Sequence, residues 1–170
     1  MSVVDRDRVR RVRNSDLREL ARLWTALTEY HASLDPAFAL APTARAEVPG
    51  LMGHLKHARS EIFVAPAGDG ADDAGEALAG MCIVRVDRGH PVHAEKERAE
   101  ISDLFVEPSA RRRGLGGALA DAALRWAEER GVPRVEVRVA AGNAAGQAFW
   151  RARGFGDFMQ VLQRRTPPER

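Results

Sequence analysis

Cysteine is almost absent. The one copy, Cys82, lies in the apolar run Met81 to Val86, which excludes an internal disulfide and a cysteine-based metal cluster and suits a small buried side chain. No stretch approaches the length and apolarity of a membrane span, and the start MSVVDRDRVRRVR lacks the apolar core of a signal peptide, so a cytoplasmic protein is expected. Only two lysines occur, Lys56 and Lys96, and only one tyrosine, Tyr30. An excess of one charge is lacking too. The 26 basic residues meet 24 acidic ones, for a formal charge of +2, so the basic balance reflects arginine richness, and a nucleic-acid protein is not indicated. What is present is 170 residues of 45% hydrophobic composition, enough for one compact domain with its own core. That domain is expected over residues 1–164, followed by a disordered tail at 165–170.

Arg8 to Arg13 alternates arginine and valine like a short strand. Asn14-Ser15-Asp16, with Glu19 three residues after Asp16, predicts a capping box, and Leu17, Leu20, Trp24 and Leu27 predict a helix that continues through His31 to Leu34. A weaker helix is expected in part of 44–59. Strands over 61–65 and 77–87, joined by a Gly/Ala/Asp-rich tip, predict a hairpin, and 88–97 reads as an exposed connection. Glu100 to Val106 is the next strand. Simple alternation puts Ile101, Asp103 and Phe105 on one face and Glu100, Ser102, Leu104 and Val106 on the other. Leu115, Leu119, Ala122 and Trp126 mark the buried stripe of a helix closed by Gly131 and Pro133, and Arg134 to Val139 is a strand parallel to the one before it. Asn143 to Arg153 reads as a helix capped by Gly154, with a last strand over 155–163.

The stretch Arg111-Arg112-Arg113-Gly114-Leu115-Gly116-Gly117 stands between a strand and a helix. Such a turn leaves helix-start N–H groups without partners and aimed at one spot, the helix dipole adds positive potential, and glycine lets an anion approach the backbone. A P-loop would need Gly-Lys-Ser/Thr, and neither lysine is near. A dinucleotide fingerprint would need glycine or alanine where Leu119 stands. Arg/Gln-x-x-Gly-x-Gly/Ala remains, read as Arg111, Gly114 and Gly116. On the loop alone, a pyrophosphate cradle and a plain basic turn are both open.

The longer pattern AEISDLFVEPSARRRGLGGAL, a helix, VEVRV, Asn143 and then FWRARGF resembles the GCN5-related N-acetyltransferase (GNAT) family, closely over Ala99 to Phe155. The resemblance implies an α/β fold, a mixed, twisted sheet of six or seven strands flanked by about four helices, with acetyl-CoA as co-substrate entering where the fourth and fifth strands splay apart. It implies that the backbone of Leu104, Phe105 and Val106 bonds the pantetheine arm. Arg111, Arg112, Arg113, Gly114, Leu115, Gly116 and Gly117 would cradle the pyrophosphate, and Asn143 and the helix after it would contact the rest of the cofactor.

By the same resemblance, an amine attacks the bound thioester directly, and a base is useful because an ammonium group cannot attack. Glu100 matches the position of a glutamate base in some members and Asp103 is the second candidate; either could instead be a carboxylate paired with one of the many arginines. Where the family usually carries a tyrosine acid, this chain has Trp150, whose indole N–H can hold sulfur but cannot be the acid. Any tyrosine acid must therefore be Tyr30; water is the preferred proton source. His31 is expected as a packed helix histidine. His54 and His57 have helical spacing without a third ligand, so no metal is expected. The expected acceptor is a primary amine of a small molecule or of a protein. A second copy of the chain, as a homodimer, is the other expected partner, with no nucleic acid or membrane. Trp150 keeps a different class open, a non-catalytic coenzyme A-binding sensor or structural module.

Overall fold

The computed structural model describes residues 8–44, 46–48, 50, 57–68 and 77–165. Packing divides the chain into two units, Met1–Arg138 and Val139–Arg170. The first holds a five-stranded sheet in the order β1-β2-β3-β4-β5: β1 (Arg10–Arg11), β2 (Ser60–Pro66), β3 (Leu78–Arg88), β4 (Glu97–Val106) and β5 (Val135–Val137). Neighbours run antiparallel except β4 and β5, which are parallel, as expected for strands bracketing helix α2 (Leu115–Glu129).

The two faces of the sheet are covered by different helices. On one, α1 (Leu17–Leu34) buries Leu20, Leu23 and Leu27 against Ile62, Val64, Met81, Ile83 and Phe105. Each fully buried aliphatic side chain there contributes about 1.5–3 kcal/mol. On the other, α2 buries Leu115, Leu119, Ala122 and Trp126, the predicted stripe. Gly80 marks how closely this side packs. A Cβ there would come within 2.9 Å of the Phe105 carbonyl oxygen and 3.0 Å of Leu119 Cδ1, so only glycine fits between β4 and α2 without displacing one of them.

Several boundaries differ from the sequence expectation. Asp16 does not cap α1. Its buried carboxylate accepts from Arg10 at 2.6 and 3.0 Å and from the Arg13 N–H at 2.7 Å, while Glu19 pairs with Arg22. Burial pushes the Asp16 pKa up, but Arg10's hydrogen bond and charge and the Arg13 N–H outweigh it and hold the group below its usual value. Strand β4 begins at Glu97, inside the expected connection, because Arg88↔Glu97 and Asp87↔Arg98 pair opposite charges across the strands. Residues 44, 46–48 and 50 are helical. The rest of the expected weak helix at 51–56, with His54 and Lys56, the hairpin tip at 69–76 and the tail at 166–170 lie outside the described residues.

In the second unit, α3 (Ala144–Arg151) ends at Gly154, whose φ of 87° is the left-handed cap anticipated for it. The last strand expected over 155–163 is not formed, so the sheet has five strands among the described residues rather than the six or seven expected. Phe158-Met159 and Val161-Leu162 come as doublets that give no single buried face, and the four side chains are 64–89% exposed. Among the described residues no helix is long and apolar enough to cross a membrane.

Candidate active site

β4 carries the site because it is irregular. Val84 faces Ile101 and Ile83 faces Asp103, so Ser102 is an extra residue, a β-bulge. The register on either side places Glu100, opposite Arg85, and Asp103, opposite Ile83, on the same α1-facing side of the sheet. The alternation read from the sequence, which put them on opposite faces, is corrected by this one inserted residue. Two adjacent polar residues, Ser102 and Asp103, between Ile101 and Leu104 were the available signal.

The two carboxylates have unlike surroundings. Glu100 is buried, and both of its oxygens are engaged, Oε2 by Arg85 at 2.7 Å and Oε1 by Arg138 at 3.2 Å. Asp103 is half-buried and meets neutral donors. The Trp24 indole N–H donates to Oδ1 at 3.1 Å and the Ser102 hydroxyl to Oδ2 at 2.6 Å. Burial pushes the Asp103 pKa up, against the opposing pull of those two hydrogen bonds and of the His31 and Arg85 charges. Burial likewise holds the half-buried His31 below its usual value, with Asp103 acting in the other direction. At about 100° per residue, His31 returns to within about 20° of the direction of Trp24, whereas Tyr30 points about 120° away from it. Tyr30 is half-buried beside His31, their ring centroids 6.0 Å apart. The helix therefore turns His31 toward Asp103 in preference to the tyrosine.

Beyond the bulge the sheet opens. β4 pairs with β5 only at Ala99–Ile101 against Val135–Val137, so from Ser102 to Val106 the edge of β4 has no strand beside it among the described residues. That edge runs into a short 3₁₀ turn, Pro108–Ala110, and then the glycine loop. Arg112 has φ 62° and Gly114, at the N-cap of α2, φ 87°. A left-handed arginine is unusual, and it costs of order 1–2 kcal/mol. These turns deliver the free N–H groups of the first turn of α2, at Leu115, Gly116 and Gly117, beside the exposed Arg112 and Arg113. Arg111 behaves differently. Its Nε donates to the Val106 carbonyl at 2.9 Å and its guanidinium lies 5.8 Å from the Phe105 ring centroid, so it ties the loop to the end of β4 and occupies one backbone acceptor expected to face pantetheine. Arg22 of α1 fastens the same end, bonding Glu107 and the Leu78 carbonyl, the latter at 2.9 Å.

The profile of the Acetyltransferase (GNAT) family matches residues 20–155. The chain belongs to this family. An uncharacterised N-acetyltransferase of Methanocaldococcus jannaschii is 39% identical over 61 residues, 36% of this chain and 27% of that protein. A mycothiol acetyltransferase of Beutenbergia cavernae is 48% identical over 56 residues, 33% of this chain and 19% of that one. The matched stretches thus span under a third of these relatives. Two solved structures share the fold over nearly the whole chain. A tetramutant of a Bacillus halodurans protein has a TM-score of 0.79 at 18% identity, covering 93% of this chain and 99% of that one. The aminoglycoside N-acetyltransferase AAC(6')-Iy in complex with CoA has a TM-score of 0.69 at 18% identity, covering 93% of each.

In the second unit of this GNAT chain, Asn143 Oδ1 accepts from the Gly146 N–H at 2.9 Å and so caps α3. Trp150 is buried edge-on between Phe149 and Phe155, with centroid distances of 4.9 and 5.0 Å. Both residues have local structural work independent of any ligand. Trp24, Ser102, Arg85 and Arg138 are the site residues that sequence reasoning missed, because each acts through a partner distant in the chain or through the bulge. Among the described residues no group of three or more His, Cys, Asp or Glu is placed to hold a metal.

Proposed function

We infer that the chain moves the acetyl group of acetyl-CoA to a primary amine by direct attack within a ternary complex. The observation that carries this reading is the unpaired edge of β4 from Ser102 to Val106, continuous with the left-handed turn that opens α2. An extended pantetheine arm fits such an edge as an added strand, through backbone groups of Leu104 and Phe105. The α2 N-terminus suits the pyrophosphate, with Arg112 and Arg113 adding positive potential.

Asp103 is the base in this reading. An ammonium acceptor loses a proton, directly or through water, to a carboxylate whose pKa is raised by burial and whose orientation is held by Trp24 and Ser102. The freed amine attacks the thioester carbonyl carbon, the C–N bond forms, the C–S bond breaks, and the proton that the nitrogen sheds on becoming an amide passes through water to the departing thiolate. Glu100 is a structural counter-ion in this reading, since Arg85 and Arg138 engage both of its oxygens and leave neither open to an acceptor amine. Tyr30 is turned away from Trp24, and an indole N–H is no acid in this range, so neither Tyr30 nor Trp150 is needed for proton delivery.

Thiol release from acetyl-CoA over a panel of small amines and peptide amino groups tests the reading. Transfer that is lost in Asp103→Asn and kept in Glu100→Gln supports it. The opposite pattern returns the base to Glu100. Tight CoA binding without transfer to any amine would identify a non-catalytic coenzyme A-binding module.

A further inference from the structure

The α1-facing side of the sheet changes character at the bulge. Met81, Ile83 and Phe105 lie under α1, but the next pleat along β3 and β4 carries Arg85 and Glu100, and β5 adds Glu136 opposite Glu100. Arg138 follows directly after the last residue of β5, where that strand leaves β4. The Glu100 side chain is 5% exposed, whereas Arg85 and Arg138 above it are 44% and 73% exposed. A buried carboxylate thus anchors two open guanidiniums from beneath, which removes much of the rotamer freedom that such long side chains would otherwise lose on binding.

Arg138 approaches Glu100 most closely through Nε, at 3.2 Å, and its terminal nitrogens make no hydrogen bond among the described residues. They form a planar fork of the kind that matches carboxylate or phosphate oxygens. Arg85 gives Nη2 to Glu100 and Nε to Asp87 at 3.4 Å, so its guanidinium is shared between two carboxylates, and Arg138, with Glu100 alone, is the less engaged and more open of the two cations. A polycationic acceptor would need open carboxylates here, and the three acids of the patch are already paired, Glu100 with Arg85 and Arg138, Asp87 with Arg85 and Arg98, and Glu136 with Arg98 and Arg134.

We propose that Arg138, assisted by Arg85, receives an anionic group of the acceptor, a carboxylate or a phosphate, while the acceptor's amine lies at Asp103. This rests on acetyl transfer with the amine at Asp103, and it adds the class of acceptor. Arg85 is two residues along β3 from Ile83, the residue facing Asp103, a separation of about 7 Å. The amine and the anion of the acceptor are therefore separated by a chain of several bonds.

The test uses the full chain with acetyl-CoA and four acceptors of matched length: ω-aminohexanoate, ω-aminopentylphosphonate, ω-aminohexanamide and hexanediamine. Expected is a kcat/KM for at least one anionic acceptor roughly 10- to 100-fold above that of the amide, the range of a charge-assisted hydrogen bond. The diamine should be no better than the amide, and the preference should collapse toward unity in Arg138→Gln and stay intermediate in Arg138→Lys, which keeps the charge without the fork. Which anionic acceptor leads separates carboxylate from phosphate. Equilibrium binding of the same compounds to the CoA-saturated protein gives a second readout without turnover. Binding that discriminates anion from amide and loses this in Arg138→Gln supports the proposal even where no acetyl group moves, an outcome that defeats only the transfer reading. Transfer or binding with no preference for the anion, a preference for the diamine, no binding of any of the four, or a preference unchanged in Arg138→Gln overturns it.

Discussion

Glu100 and Asp103 are three residues apart on one strand and face the same way, yet the bulge between them separates two environments. On the Glu100 side the sheet is complete, β5 is paired, and the carboxylate is enclosed by guanidiniums. On the Asp103 side β5 has gone, a half-open face remains under α1, and the partners are neutral donors. Burial alone thus does not distinguish the two carboxylates. What differs is the company each carboxylate keeps, since two guanidiniums occupy both oxygens of Glu100 whereas Asp103 is held by an indole N–H and a hydroxyl. Asp16 belongs with Glu100 in this respect, held by Arg10 in a bidentate pair.

The sharpest way to break this contrast is Asp103→Asn, expected to lower kcat for acetyl transfer by about 10²–10⁴, read by thiol release. The same substitution should raise the melting temperature at neutral pH. A carboxyl whose folded pKa is raised binds its proton more tightly when folded, so its contribution to stability improves as pH falls and is unfavourable once it ionises. A lower melting temperature together with full activity would equate Asp103 with Glu100. Next in size, Asp16→Asn should cost about 3 kcal/mol of stability by denaturant unfolding at neutral pH, since it breaks a buried pair. The sign for Asp16 is the reverse of that for Asp103. Its lowered folded pKa stabilises the fold above the ordinary carboxylate value, and that stability is lost as pH falls through the folded value, so melting curves of the Asn variant and the parent should converge in acid.

Glu100→Gln is expected to cost about 1–2 kcal/mol of stability, because its arginine partners reach solvent, with kcat kept within about tenfold, far above that of the Asp103 variant. The smallest effect is that of Ser102→Ala. Losing a hydrogen bond to the ionised carboxylate should shift the acidic limb of the kcat/KM profile toward higher pH and lower the rate a few-fold at mildly acidic pH. An unshifted limb would mean that Asp103 does not govern it.

Local signals carried the helices and the glycine loop. Leu115, Leu119, Ala122 and Trp126 announce α2 by period, and Gly114, Gly131 and Gly154 stand at the positive-φ positions of helix ends. The site was legible only as a set of positions on β4. Its facing was not, because alternation assumes an uninterrupted pleat and Ser102 interrupts it. Nor could spacing assign Glu100 its two arginines, one on β3 and one just past β5, or bring Trp24 to Asp103 from 79 residues away. The expected strand at 155–163 shows the same limit, since apolar content predicts an extended chain but not the edge it would need to join.

The bond from Arg111 to the Val106 carbonyl carries a last consequence. It welds the glycine turn to the end of β4, and Arg22 clamps that end to α1 through Glu107 and Leu78. From Val106 back to Asp103 is three residues of strand, roughly 10 Å. Fluctuations of the turn therefore leave that interval unchanged, and the strand acts as a ruler. Whatever is held at the turn and extends along β4 is therefore registered against Asp103 by the rise of the strand itself.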